Sequence, residues 1–368
     1  MRSVAVLTPG EGSTPMSTNY GFVNWIRLVA MFSIVYEHSI LLYTTEPSQV
    51  RTYHIISQPF KFGTICFFII SGYLLGRKLT PDDSPWLYYR RRLLVVGLPF
   101  VIAFGLYYLK MIGLIGRLTG KLMASELSST FLVNEFYTNL FFTSYWFMFS
   151  FLTALAILLL FWRQTKRLVF GWVSFAVTCF FAANIYTNWF DSTHTIAMPA
   201  YVFYLWLGTW LARHNAYIKR MQSLSSPILT IILLLTMGLA YLESELLWSL
   251  KAGNPVNTLR PTNQLFSLVA FVWLMRHDAN KQLTAWLNPR TESFGIYLYH
   301  MFFVGLATTI AIKLPYLSWL SDSPLPSFNP GKIVLIDLVR MGFVYGSTLC
   351  FVKLVNRTRL RWLFGERS

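Results

Sequence analysis

Apolar runs long enough to cross a lipid bilayer recur along the whole chain, and they limit its fold more than any other feature does. A helix of about 20 mostly apolar residues spans the roughly 30 Å of hydrocarbon in a bilayer. The chain is 55% hydrophobic and only 12% charged, whereas soluble domains carry about 25% charged residues. The sequence therefore predicts an all-α, polytopic membrane helix bundle.

About ten transmembrane helices are expected in this bundle. Together they form one transmembrane domain over residues 21–356, followed by a basic cytoplasmic tail at 357–368. Residues 1–20 lack the basic, apolar and small-residue regions of a cleavable signal peptide, so we interpret them as a polar N-terminal tail. The predicted spans are 22–43, 59–76, 93–113, 139–161, 168–187, 197–212, 226–247, 262–275, 293–313 and 331–354.

Lysine and arginine are distributed unequally between alternate connections. One set of connections, with the C-terminal tail, holds eighteen basic residues, and the other set holds five. Because basic residues are enriched on the cytoplasmic side of membrane proteins, both termini are predicted to be cytoplasmic. The same clusters account for the net charge of +16, so no nucleic-acid partner is expected. The larger set is Arg77, Lys78, Arg90, Arg91, Arg92, Arg163, Lys166, Arg167, Arg213, Lys219, Arg220, Arg276, Lys281, Arg290, Arg357, Arg359, Arg361 and Arg367.

The first predicted span carries three ionisable residues, Arg27, Glu37 and His38. Each such group costs about 2.5–3.5 kcal/mol at the middle of a bilayer, so something must compensate it. Arg27 and His38 are eleven residues apart, which is close to three helical turns, so both project from nearly the same face about 16 Å apart. This arrangement suits a reaction whose partners come from two sides of a membrane.

Neither metal binding nor disulfide bonding is indicated by the cysteines. Cys66, Cys179 and Cys350 all fall inside apolar runs and are interpreted as small buried hydrophobic residues. The chain has no zinc-ligand spacing, no phosphate-binding G-x-x-x-x-G-K-[ST] loop and no G-x-S-x-G nucleophile motif. We therefore predict no metal.

Five motifs occur in a fixed order along the predicted spans, and with them the chain resembles the acyltransferase-3 family of integral membrane O-acyltransferases. It departs from the common pattern at Asn24, where an acid is frequent, and at Val95, where an arginine is frequent. The motifs are Arg27-x10-His38; Phe67, Phe68, Ser71, Gly72, Tyr73 and Leu74; Arg90, Arg91, Arg92 and Pro99; Tyr145, Trp146 and Phe147; and Ser293, Phe294, Ile296, Tyr297, Leu298 and His300.

The resemblance implies a transfer reaction across a bacterial inner membrane. An acyl group, in this expectation acetyl, moves from cytoplasmic acyl-CoA to a hydroxyl of an extracytoplasmic or lipid-linked glycan, as in polysaccharide modification. A hydroxyl needs a positioned base, and histidine is the usual one. The expected catalytic residues are His38 and Glu37, the donor-binding residues are Arg27, Arg77, Arg90, Arg91 and Arg92, and the substrate-binding residues are Ser71, Tyr145, Trp146 and His300.

Other interpretations of the same residues stay open. Intramembrane Arg, Glu and His also mark transport pathways, so a transporter or flippase of a sugar or lipid is the alternative, and a scaffold subunit of polysaccharide assembly is a third. Glu37 points about 100° away from His38, toward either a neighbouring helix or the acceptor. His300 is compatible with a structural hydrogen bond, and Glu243 and Glu245 are compatible with either binding of sugar hydroxyl groups or solvation at the outer rim. An acyl-enzyme relay is an alternative to direct transfer.

Overall fold

The computed structural model describes residues 21–40, 47–79, 83–114, 128–193, 195–277, 281–313 and 330–365. All regular secondary structure in these ranges is helical, which confirms the all-α prediction. The predicted N-terminal tail at 1–20 and residues 366–368 of the predicted basic tail lie outside the described residues.

Fifteen α-helices are numbered here in chain order within the described ranges. Short 3₁₀ turns and one π-helical turn at 93–97 join some of them. The helices are α1 Gly21–Ser39, α2 Pro47–Ser57, α3 Gly63–Lys78, α4 Pro85–Arg92, α5 Leu98–Met111, α6 Ser129–Phe141, α7 Trp146–Leu160, α8 Leu168–Thr187, α9 Val202–Arg213, α10 Asn215–Gln222, α11 Ser226–Ser249, α12 Pro261–Arg276, α13 Lys281–Leu287, α14 Pro289–Lys313 and α15 Pro330–Asn356.

Each of the ten predicted spans overlaps at least one helix, and the fourth, 139–161, covers the end of α6 and the whole of α7. Within the described residues, six helical segments are long and apolar enough to cross a membrane, or seven if the bent pair α6 and α7 is one span. This makes the chain a multi-pass membrane protein. The other three predicted spans correspond to α1, whose polar residues lower its hydropathy, and to α9 and α12, which have 12 and 16 residues. The count of ten and the cytoplasmic position of both termini stay predictions.

Helix α1 lies at the centre of the bundle, in contact with α3, α12, α14 and α15. Two apolar clusters cover different sides of it. Ile26 and Ala30 belong to a cluster that includes α3, α9 and α12, and Leu28 and Val35 belong to a second one that includes α5, α14 and α15. Because both sides are packed, the face of α1 that carries Arg27 and His38 is shielded from lipid by neighbouring helices.

Helices α3 and α9 cross at van der Waals contact through two glycines. A Cβ atom on Gly72 would overlap the carbonyl oxygen of Leu205, and one on Gly208 would overlap the carbonyl oxygen of Ile69. Small residues allow helix backbones in membranes to approach this closely. Gly72, which follows Ser71 in the sequence motif, therefore allows α3 to pack directly against α9.

Replacing Gly72 by alanine should destabilise the fold by about 1–3 kcal/mol, because the added methyl group must push two backbones apart. The matched control is Gly238→Ala in α11, where a Cβ atom meets nothing within 4 Å and helix propensity favours alanine by about 1 kcal/mol. Thermal unfolding of the purified variants in detergent measures the difference. Equal midpoints for the two variants would contradict the proposed contact.

Candidate active site

A cavity of about 200 Å³ is lined by three arginines, Arg27, Arg92 and Arg290. They come from α1, from the end of α4 and from the first turn of α14. No carboxylate lines this cavity within the described ranges. We call it the arginine cavity. Three guanidinium groups with no acid beside them make a site for an anion, and their planar donor sets suit phosphate.

The guanidinium of Arg92 is held in place by a neighbouring aromatic ring. Its Nε donates to the hydroxyl of Tyr88 at 2.9 Å, and its Cζ lies 5.2 Å from the centre of the same ring. The positive charges of Arg92 and Arg290 both act on Arg27. Like charges repel, so their convergence on one cavity carries a cost that a bound anion would offset.

A second cavity, of about 310 Å³, is lined by His38 and Glu37 of α1. We call it the histidine cavity. Its lining combines aromatic rings with hydroxyl and amide side chains, and such a lining can stack on a sugar ring while it hydrogen-bonds the ring's hydroxyl groups. The remaining polar and aromatic residues of the lining are Tyr53, Lys61, Thr64, Phe141, Phe142, Thr143, Ser144, Trp146, Phe147, Thr193, Thr195, Asn254, Thr258 and Tyr297.

The two cavities adjoin along one face of α1. Three residues, Ile34, Phe147 and Tyr297, line both of them. Arg27 lies on one side of Ile34 and His38 on the other, in agreement with the shared face predicted from the sequence. These three side chains form the apolar and aromatic wall between the arginine cavity and the histidine cavity.

His300 of α14 lies beside His38, with the two ring centres 5.4 Å apart. Its Nδ1 is 2.8 Å from the carbonyl oxygen of Tyr297 and 3.1 Å from that of Ile296. Carbonyl oxygens only accept hydrogen bonds, so Nδ1 of His300 carries a proton. His300 is fully buried, and its Nε2 has no hydrogen-bond partner among the described residues.

Glu37 pairs with a lysine that precedes α3. The Nζ of Lys61 donates to Oε2 of Glu37 at 3.1 Å, and the lysine side chain is 9% exposed. Both residues line the histidine cavity. A buried charge needs a partner of opposite sign, and Lys61 supplies one to the Glu37 side chain, one residue away from His38.

A buried arginine stabilises the connection between α11 and α12, which contributes Asn254 and Thr258 to the lining of the histidine cavity. Arg260, in the connection between α11 and α12, donates to the carbonyl oxygens of Asn257 at 3.0 Å and Ala240 at 2.6 Å, and to Oε1 of Gln58 at 2.8 Å. Gln58 in turn donates to Asn263 at 3.0 Å. Burial lowers the pKa of Arg260 to about 10, so it stays charged at neutral pH.

Glu243 is buried, so the expectation of solvation at the outer rim is wrong for this residue, and both Glu243 and Glu245 have partners within the protein. Glu243 accepts hydrogen bonds from the hydroxyl groups of Tyr186 and Thr262. Glu245 accepts from His54 at 2.7 Å and pairs with Arg51 at 3.4 Å. Neither acid lines the arginine cavity or the histidine cavity.

The structure separates the other predicted site residues. Ser71 lines the arginine cavity and Trp146 the histidine cavity. Tyr145 is fully buried and donates to the carbonyl oxygen of Leu298 at 2.9 Å, so it lies in neither lining. Three of the predicted donor-binding residues also lie outside both linings, namely Arg77, Arg90 and Arg91. Arg90 and Arg91 are exposed on the surface.

Sequence reasoning missed two charged residues of the site, and each had a signal. Lys61 lies inside the second predicted span, where an ionisable group needs a partner as much as Arg27 does. Arg290 lies just before the motif that contains Ser293 and Phe294, but it was interpreted only as a topogenic charge.

Comparison with known proteins adds a result that covers both cavities. Residues 20–352 match a protein-family model described as an acyltransferase domain. The match extends over more than half of the chain and includes every residue that lines the two cavities. No curated protein and no solved structure matches the chain.

Proposed function

The chain belongs to the acyltransferase 3 family and is a membrane acyltransferase. From that premise we propose the identity of its acyl donor and its acceptor. We infer that it moves an acyl group, most simply acetyl, from cytoplasmic acyl-CoA to a hydroxyl of an extracytoplasmic or lipid-linked glycan. The observation that carries the proposal is the pair of adjoining cavities on α1, one lined by arginines and the other by a histidine among hydroxyl and aromatic groups.

The arginine cavity supports an anionic donor. Coenzyme A carries several phosphate groups, and Arg27, Arg92 and Arg290 are permanently charged groups that can bind them. Under the predicted topology these arginines lie toward the cytoplasm, where acyl-CoA is made. The acyl end of the donor would then reach toward Phe147 and Tyr297, which separate the two cavities.

The histidine cavity supports a sugar acceptor. Side chains such as Thr143, Thr195 and Asn254 offer hydrogen bonds to sugar hydroxyl groups, and Tyr53 and Trp146 offer aromatic faces. Under the predicted topology this cavity lies toward the outside, where a glycan would enter it.

In the proposed reaction His38 acts as the general base. Its imidazole removes the proton from the acceptor hydroxyl while the oxygen attacks the carbonyl carbon of the thioester. A carbon–oxygen bond forms, the carbon–sulfur bond breaks, and the thiolate of coenzyme A takes the proton from the imidazolium. His300 lies next to His38, and its Nδ1 donates to a backbone carbonyl oxygen of its own helix. This hydrogen bond fixes the orientation of the ring beside the proposed base.

Replacing His38 by alanine should lower acyl transfer by about 10²–10⁴-fold, the usual contribution of a general base. The assay supplies labelled acetyl-CoA and a set of soluble oligosaccharides to the purified protein and measures labelled sugar and free thiol. His277→Ala is the matched control, because His277 lines neither cavity. Full activity of the His38 variant would remove the proposed base, and no transfer by the wild-type protein would contradict the proposed function.

Arg92 and Arg91 are neighbours that should differ in their effect on the donor. Arg92→Ala should raise the KM for acetyl-CoA about 10- to 100-fold, because a hydrogen bond to a charged group contributes about 1.5–3 kcal/mol. Arg91→Ala should leave that KM nearly unchanged, since Arg91 is exposed and lies outside the cavity lining. Initial rates over a range of donor concentrations measure both values. Equal effects of the two substitutions would exclude the arginine cavity as the donor site.

A further inference from the structure

The helical path of the predicted fourth span is broken at the boundary of the two cavities. Helices α6 and α7 meet at an angle of 70°, and residues 142–145 form the bend between them. Phe142, Thr143 and Ser144 in this bend line the histidine cavity, and Phe147 in the first turn of α7 lines both cavities. Helix α7 therefore begins at the point where the donor and the acceptor would meet.

Ser144 contributes a hydroxyl group that no hydrogen bond within the structure uses. Its side chain is 2% exposed, and its Oγ has no hydrogen-bond partner among the described residues. The residue nevertheless lines the histidine cavity together with His38. Burying a hydroxyl without a partner costs free energy, so a buried hydroxyl at a cavity wall indicates that its partner is a ligand.

The backbone around Ser144 is held in place from two directions. Its carbonyl oxygen accepts from the hydroxyl of Tyr297 at 2.8 Å and from the amide of Phe147 at 3.3 Å. The amide of Met148 donates to the same tyrosine hydroxyl at 3.2 Å. Tyr297 thereby connects the start of α7 to α14, and these hydrogen bonds hold the backbone of Ser144 at the cavity wall.

The N-terminus of α7 carries a partial positive charge at the same point. A helix of this length, 15 residues, has a dipole equivalent to about half a positive charge at its N-terminus. No acidic residue lies in its first turn, and the side chain of its N-cap residue, Tyr145, makes no capping hydrogen bond. The partial positive charge of the helix end and the Ser144 hydroxyl therefore lie at the same point of the cavity wall.

We propose that Ser144, with the first turn of α7, forms the oxyanion site of the transfer reaction, an inference that rests on the proposed function. When the acceptor oxygen attacks the thioester, the carbonyl π electrons move to the carbonyl oxygen, which becomes negatively charged. The hydroxyl of Ser144 donates a hydrogen bond to that oxygen and keeps its own proton. The electrons return when the carbon–sulfur bond breaks, and coenzyme A leaves with the proton that His38 removed from the acceptor.

Kinetics of Ser144→Ala test this assignment, with acetyl-CoA as donor and release of free thiol as the readout. Loss of one oxyanion donor lowers kcat by about 100- to 1,000-fold, and the KM for acetyl-CoA should stay within about twofold. The matched control is Ser150→Ala in the same helix. Ser150 is also buried with an unpartnered Oγ but lines neither cavity, so its removal should leave kcat unchanged.

Thermal stability and mass measurements distinguish an oxyanion role of Ser144 from a structural role and from a role as the covalent nucleophile. Because Ser144→Ala removes an unpartnered buried hydroxyl, its thermal midpoint should not fall below that of the wild type. If that variant does not purify in folded form, Ser144→Gly removes the same hydroxyl and is assessed in the same way. An unchanged kcat, an effect confined to KM, or an acyl group found covalently on Ser144 would each overturn the inference. Wild-type protein that releases no thiol at all would instead overturn the proposed function, and this inference with it.

Discussion

The fold depends on keeping the ionisable groups of α1 out of contact with lipid. Arg27, Glu37 and His38 lie along a helix that would otherwise be an ordinary apolar span, and hydrocarbon offers such groups no hydrogen bonds. The bundle solves this by surrounding α1 with α3, α12, α14 and α15. The polar face of α1 then opens into internal cavities, where arginines, a lysine and hydroxyl groups take the place of water.

The same solution brings together the parts of a transfer site. Tyr297 of α14 and Phe147 of α7 meet Ile34 of α1 at the boundary of the two cavities. The aromatic wall they form keeps the arginine-lined cavity apart from the hydroxyl-rich cavity. A thioester that reaches this wall from the arginines would present its carbonyl between His38 and the bend before α7. Each side of the membrane would therefore supply one substrate without a continuous aqueous path.

Periodicity explains what the sequence could predict and what it could not. The positions of Arg27 and His38 on one face of α1 follow from 3.6 residues per turn. The same rule implies that Arg90, Arg91 and Arg92 project in directions about 100° apart, so only one of them can point into a given cavity, and Arg92 is the one that does. The proposed role of Ser144 was not predictable, because the apolar run at 139–161 shows no break in the sequence and the 70° bend within it is held by tertiary contacts.

The central claim is that a donor on one face of the membrane acylates an acceptor on the other through these adjoining cavities. Sealed proteoliposomes test it most directly, with labelled acetyl-CoA supplied only outside and soluble oligosaccharides enclosed only inside. Coenzyme A is too highly charged to cross a bilayer, so label can reach the enclosed sugar only through the protein. The account predicts labelled oligosaccharide inside the vesicles. Labelling that occurs only when donor and acceptor share the same compartment would contradict it.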